Sequence, residues 1–455
     1  MKKNVIIITL ASVVLVSAVA AGISFNNISN KVKAYDNVIY PGVKVEDVDL
    51  SGKTKVEALA ILNQKYGDAL IKKKINIKAP EKTYTLNYEK LSAKYNIEKI
   101  VDEAFSYNKD KGLLQKNKLI KSPTPKQFKL TGSFTFDSKP VKELIGVMQK
   151  EIDKQPANAA INMVSRGNFS ITPDKKGSKL NTENLEKDIL SKISGDLNGD
   201  VEIQAPVEDV QASITGDKLS KINTKLSSFS TNFSTSTAAR ATNISLATSF
   251  INGKVLMPGE TFSFNDVVGQ RTASRGFQEA PVIIGNKVDS GLGGGICQVS
   301  TTLYNAAIRA NLQTVERIHH TLPSHYIGLG MDATVDYGNI DYKFKNTLEF
   351  PVYIEAYTEN RNIVFSVYSD KSLTSRTYDL VNEVYDTMQP EVKYVDDPNM
   401  DEGVTETVQP ASIGYKVRVY KNTYENGKLI AHDLITNETY NKVDGTVKRG
   451  TRKKQ

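Results

Sequence analysis

The sequence predicts a multidomain α+β protein carried behind an apolar N-terminal helix. An uncharged apolar run extends from Val5 to about Phe25. Between residues 38 and 215, segments of helical period alternate with short segments of strand period. Beyond residue 375 the pattern turns to strand alternation, broken by Asn426-Gly427, a two-residue hairpin signal.

The N-terminal run begins after Lys2 and Lys3. Roughly 20 apolar residues span a bilayer as a helix, and the positive end stays inside, so the rest of the chain lies outside. A cleaved signal peptide is the alternative, with Ala18-Val19-Ala20 as its cleavage site. The run is longer than the usual apolar core of a signal, about 7–15 residues. Both readings export the chain; the anchor reading gives a single-pass protein of the cell membrane whose C-terminal part is extracellular. Residues 1–25 are the anchor or signal and residues 26–37 a polar stalk.

With 455 residues, the chain is long enough for three or four domains. Its net charge of +8 fits association with anionic polymers such as teichoic acids and wall phosphates, and fits equally a lysine-rich solvated surface. No segment interleaves these charges with aromatic residues, which excludes a nucleic-acid partner. There is one cysteine, Cys297. It has no internal disulfide partner and no second thiolate with which to build a metal site.

The first α+β unit covers residues 38–125. Thr54 and Glu57 form a capping box, and Val56, Leu59, Ala60 and Leu62 start an apolar helical face. Tyr84, Leu86 and Tyr88 alternate as a strand, and Ile97, Ile100, Val101 and Ala104 fall on one face of a second helix. A basic connector around residues 109–126 leads to a second, related α+β unit, residues 126–215. There Val141, Leu144, Ile145 and Met148 predict a helix, Phe169-Ser170-Ile171 a strand, residues 181–190 a helix and Val201-Glu202-Ile203 a strand. Ile39-Tyr40-Pro41-Gly42-Val43, Asp49-Leu50-Ser51-Gly52-Lys53-Thr54 and Ile171-Thr172-Pro173 with Gly177 and Leu180 resemble the peptidoglycan-binding region of exported proteins. That resemblance implies contact with glycan; a plain spacer is the alternative.

A Ser/Thr/Asn-rich stretch, residues 227–242, marks the boundary at the start of the central domain, residues 220–369. An acidic connector, residues 394–403, interrupts the β-rich tail. Tyr415, Val417 and Val419 alternate with polar residues there, and with Gly414 and Gly427 residues 375–455 resemble the extracellular G-five repeat, an all-β module.

The segment most able to carry chemistry is Gly291-Leu292-Gly293-Gly294-Gly295-Ile296-Cys297-Gln298. The glycines give a loop that a substrate can approach closely. Val299, Leu303, Ala306 or Ala307, and Ala310 then fall on one helical face, which places Cys297 in a first helical turn. Orphan N–H groups and the helix dipole there favour a thiolate and can receive an oxyanion. A buried, inert thiol under a glycine turn is the alternative. No Lys-Ser/Thr pair follows the glycines, which speaks against a phosphate loop.

A thiolate nucleophile needs a proton partner. Three of the four histidines cluster downstream, His319, His320 and His325, with Asp332 or Asp336 available to orient one of them. Zinc binding by these residues fits no standard ligand spacing.

These residues carry a second resemblance. Phe229-Ser230-Thr231, Pro258-Gly259-Glu260-Thr261-Phe262-Ser263-Phe264-Asn265, the Gly293–Tyr304 segment, Glu316-Arg317 with His320, Asp332-Ala333-Thr334-Val335 and Phe344-Lys345-Asn346 together resemble a VanW domain over residues 225–355. The resemblance implies an L,D-transpeptidase with Cys297 as nucleophile and His320 as its proton partner; His319 and His325 lie outside the motif. It is distinct from the transpeptidases that place a motif histidine just before the cysteine. Asp332 is expected to orient the histidine. Gly295, Gln298, Ser300, Thr301, Arg317 and Tyr326 are expected at the oxyanion and substrate positions, with Gln298, the backbone N–H groups of residues 297–298 and Arg317 given those roles specifically. The implied partners are peptidoglycan stem peptides and glycan, with no cofactor and no metal. The alternative from another class is a non-catalytic wall-binding scaffold or glycopeptide-resistance accessory protein.

Overall fold

The computed structural model describes residues 2–284 and 287–453, with side chains over residues 6–282 and 290–453. The side chains of Lys2 and Lys3, the positive start, lie outside the described residues. The chain is a multidomain α+β protein. It forms two compact units, Met1–Ala157 with Lys176–Gln211, and Asn158–Lys175 with Ala212–Gln455.

In the first unit an N-terminal helix covers Lys2–Lys33. Its Ile6–Lys33 stretch is long and apolar enough to cross a membrane. The helix continues through most of the segment read as a stalk, and Val32 at its end is buried in the core of the unit.

The Thr54 capping box forms: the Thr54 N–H donates to Glu57 at 2.8 Å and the Glu57 N–H to the Thr54 hydroxyl at 3.3 Å. The helix it starts, Lys55–Leu62, buries Leu62 of the expected face and half-buries Leu59, but it adds Ala58 and leaves Ala60 exposed and Val56 76% exposed. Helix Ile97–Ser106 buries all four of its predicted apolar residues. The basic connector is not a loop. Leu113–Lys121 is a helix that buries Ile120.

Residues 38–125 and 126–215 do not form two separate units. Strand Val201–Gln204 pairs in parallel with Lys74–Lys78, and Val43–Val45 pairs in parallel with Lys126–Phe128. One hydrophobic core takes in residues from Val32 to Ile203. The physical reason is size: two segments of this length each bury little apolar surface alone, and sharing strands makes one larger core.

In the second unit the hairpin of Ala160–Ser165 and Asn168–Thr172 sets Phe169 edge-on to Tyr353 and Tyr368, with ring centroids 5.0 and 5.4 Å away. An antiparallel sheet follows the order Thr224–Asn232, Asn362–Ser369, Val352–Glu359, Lys254–Leu256. Helices Ala238–Ile251 and Ile296–Arg309 pack with it around Ile244, Val299, Leu303 and Phe365. The Ser/Thr/Asn-rich boundary stretch is thus mostly strand and helix.

The C-terminal region is all β. Arg376–Met388, Gly414–Glu425 and Lys428–Tyr440 form one sheet, and Val392–Asp401, Gly445–Arg452 and Thr405–Gln409 a second. Asn426 and Gly427 take positive φ at the predicted hairpin. Most of the stretch read as an acidic connector is strand Val392–Asp401. Val417, Val419 and Tyr440 enter the same core as the central domain.

Candidate active site

The site is built on the start of the helix Ile296–Arg309, which is buried along most of its length. Gly295 precedes it with φ at +105°, and a Cβ there would meet Arg240 at 2.9 Å and Ile244 at 3.0 Å. At Gly294 a Cβ would lie 2.5 Å from the Pro281 carbonyl. Only glycine lets this loop pass so close to its neighbours.

Cys297 is half-buried in the first helical turn. Its thiol donates to the Val335 carbonyl at 3.4 Å and lies close enough to His320 for each group to act on the other's ionisation. The other side of His320 is fixed. Its Nδ1 bonds Asp332 at 2.5 Å, and its backbone N–H donates to the same carboxylate oxygen at 2.7 Å. With Nδ1 committed, Nε2 is the ring atom left for the thiol.

Asp332 is almost fully buried. Its second oxygen accepts from the Tyr440 hydroxyl at 2.6 Å. The segment carrying it is clamped to the cysteine helix: Ser300 donates to the Ala333 carbonyl at 2.6 Å, the Ala333 N–H donates to Thr301 at 3.0 Å, and Asn305 donates to the Met331 carbonyl at 2.7 Å.

Electrostatics follow from this chain of bonds. Burial pushes the Cys297 thiol up, but the neighbouring His320, then the contact with the Val335 backbone and the guanidinium of Arg271, outweigh it and leave the thiol lowered. Burial pushes His320 down. The bond to Asp332 and the neighbouring Cys297 reverse this and lift it to about 9. Burial raises Asp332, but His320 and then Tyr440 hold it down at about 2. The Cys297 thiol is thus lowered, His320 raised and Asp332 lowered, the directions that favour thiolate, imidazolium and carboxylate, as in an activated cysteine nucleophile.

Of the residues expected at the site, the structure brings Cys297, His320 and Asp332 together. Tyr326 lies close enough for its hydroxyl to be raised first by burial and then by the Cys297 charge. Four others are engaged elsewhere. Gln298 is buried, donates to Thr231 at 3.1 Å and the Asn232 carbonyl at 2.9 Å, and accepts from Arg240 at 3.0 Å. Its N–H donates to the Gly295 carbonyl at 3.1 Å, so it is not a free oxyanion donor. Ser300 and Thr301 clamp the Asp332 segment. Arg317 is not open to a substrate carboxylate: it pairs with Glu438 and donates to the Asp332 and Gly330 carbonyls.

His319 meets the Tyr440 ring edge-on at 4.8 Å, and His325 is exposed. Asp336 accepts from Asn339 at 2.7 Å rather than from a histidine. Among the described residues no cluster of three or more His, Cys, Asp or Glu side chains is placed to hold a metal.

Sequence reasoning missed Tyr440, Glu438 and Arg271. Tyr440 and Glu438 lie more than a hundred positions downstream of the groups they hold, on the last part of strand Lys428–Tyr440. Nothing local distinguishes them from other strand residues. Arg271 follows Gly269, which has φ at +73°, and that turn is the one local signal.

Three family models match the chain: "VanW like protein" over residues 239–368, "Putative peptidoglycan binding domain" over residues 84–202 and "G5 domain" over residues 381–452. The Bacillus subtilis protein named "Uncharacterized protein YoaR" is 35% identical over 248 residues, covering 54% of this chain and 80% of that protein. The Enterococcus faecalis "Vancomycin B-type resistance protein VanW" is 29% identical over 134 residues, covering 28% of this chain and 49% of its own. A solved "IgA1 Protease G5 domain structure" is 16% identical over 17% of the chain and 88% of its own, with a TM-score of 0.14.

Proposed function

The chain belongs to the family of VanW-like proteins, with peptidoglycan-binding and G5 modules, and from that membership we propose that it is a peptidoglycan L,D-transpeptidase acting through Cys297. It is a cell-wall-associated protein. The observation that carries the enzymatic reading is the buried Asp332–His320 pair set beside Cys297 at the start of a helix.

In this reading the Cys297 thiolate attacks the carbonyl between residues three and four of a stem peptide. The developing oxyanion lies against the first helical turn, where the Cys297 N–H is an orphan donor by position. His320 gives its proton to the departing amine, and the terminal D-Ala leaves. The thioester then accepts the side-chain amine of a diamino acid on a neighbouring stem. His320 takes back a proton, the thiolate leaves, and a 3–3 cross-link is formed. Water as the acceptor would give a carboxypeptidase. The helix Lys2–Lys33 anchors the chain in the membrane in a single pass, and the modules on either side of the site hold it against glycan and anionic wall polymers.

Trapping tests the reading. Mixing the soluble part of the chain with a disaccharide-tetrapeptide and quenching in acid is expected to show an adduct on Cys297 equal to the donor less one D-Ala. An unmodified Cys297, in a folded chain whose thiol still reacts with iodoacetamide, would leave a wall-binding scaffold.

A further inference from the structure

Both terminal nitrogens of Arg271 are shut off from solvent and have no hydrogen-bond partner among the described residues. A guanidinium carries five donors and keeps its charge in proteins. Burying its ends unpaired is unfavourable, and native chains retain such groups where something else completes them.

The surroundings place this group at the reacting thiol. The aliphatic part of Arg271 lies on the loop before Cys297, so close that a Cβ on Gly293 would meet its Cγ at 2.9 Å. Its guanidinium sits 5.6 Å from the Phe264 ring centroid and 5.7 Å from that of Tyr337, which is 47% exposed. The nearby carboxylates are committed to other donors. Asp341 accepts from Ser263 at 2.5 Å and the Asn265 N–H at 2.9 Å, and Asp336 accepts from Asn339. Neither forms an ion pair with Arg271. Arg240, on the other flank of the loop, already donates to Ser236 and Gln298. Arg317 is closed by Glu438.

We propose that Arg271 is the anion subsite of the Cys297 centre and receives the free α-carboxylate of the residue that leaves the acyl donor. The assignment rests on the transpeptidase reading for the identity of the donor. A planar guanidinium takes a carboxylate through two parallel bonds; its ends are closed in the ligand-free chain, so in this proposal the half-exposed Tyr337 ring beside them moves aside as the carboxylate enters. A donor ending one residue beyond the scissile bond would thereby be seated with its carbonyl over the thiolate. Donors extended by a further residue, or amidated at the terminus, would lack the anion at that distance.

The test separates this subsite from the reaction. Alkylation of Cys297 in the soluble chain is measured with iodoacetate and with iodoacetamide at one pH. The rate ratio cancels the thiolate fraction and reports the preference for an anionic reagent. Arg271→Gln is expected to lower the iodoacetate-to-iodoacetamide ratio by roughly tenfold, the loss of one charge-assisted pairing. In the unmodified chain, N-acetyl-D-alanine is expected to slow alkylation by iodoacetamide, and its amide is expected not to. An unchanged ratio, or equal protection by acid and amide, would overturn the subsite, whether or not cross-linking is detected. A lowered ratio in a chain that forms no acyl-enzyme would keep the subsite and remove the transpeptidase.

Discussion

The Tyr440 hydroxyl donates to the Asp332 carboxylate at 2.6 Å while accepting the Gly330 N–H at 2.8 Å. The C-terminal β module therefore supplies part of the framework around the nucleophile. Two positions earlier, Glu438 closes the guanidinium of Arg317, which donates to the Asp332 carbonyl. Asp332 is thus held from both sides by a strand that the sequence alone assigns to a separate module.

Removing the hydroxyl is expected to be felt at the thiol. Tyr440→Phe leaves a buried carboxylate short of a donor, and hydrogen bonds to charged groups contribute about 1.5–3 kcal/mol. Urea unfolding should report a loss of that order with an unchanged slope. The pH midpoint of Cys297 alkylation should also rise, which distinguishes a positioning role from packing alone.

Asp332→Asn should act through the histidine. It weakens the Asp332 bond and removes the charge that, together with Cys297, lift His320 to about 9, and it permits the wrong ring tautomer. In serine-protease triads the corresponding change lowers turnover about 10⁴-fold. A loss of 10²-fold or more on the order of that precedent is expected here, with a higher alkylation midpoint and little change in substrate KM.

The pH dependence follows from the two lowered and raised groups. The thiol titrates below its ordinary value, so thiolate is present on the acid side of the usual thiol pKa near 8.5. His320 stays protonated until about 9. Activity that needs both is expected to rise as the thiol ionises, below the ordinary thiol range, and to fall as pH passes about 9, as apparent values of the coupled pair. His320→Asn should shift iodoacetamide alkylation to higher pH.

Gly295→Ala tests the loop. Alanine at φ of +105° must adopt a strained backbone and place its Cβ against Arg240 and Ile244. Such a change costs about 1 kcal/mol or more. Thermal unfolding should show the loss, and Cys297 should react more slowly because the start of its helix shifts.

Much of this was legible in the sequence, residue by residue. The Thr54 capping box, the Ile97–Ala104 stripe and the Asn426-Gly427 turn are local signals, and each forms. The glycine loop and the first-turn position of Cys297 were legible for the same reason. Long-range pairing was not. The parallel pairing of Val201–Gln204 with Lys74–Lys78 depends on which strand edge is open, and periodicity does not encode that. Gln298 and Arg317 have the right chemistry for a substrate contact. Their partners, Thr231, Asn232, Arg240 and Glu438, are distant in sequence, so only the folded chain reveals that both are already engaged. The unpaired ends of Arg271 are the converse case: a charge that looks like any surface arginine until its neighbours are known.

The most direct test of the central claim is product analysis. Disaccharide-tetrapeptide muropeptides are incubated with the soluble part of the chain and, in parallel, with Cys297→Ala, and the products are separated and weighed. The account predicts cross-linked dimers that lack one D-Ala, joined through the third residue of the donor stem, formed by the unmodified chain and absent with Cys297→Ala. Dimers formed equally by Cys297→Ala, or no consumption of tetrapeptide by a folded chain, would contradict it.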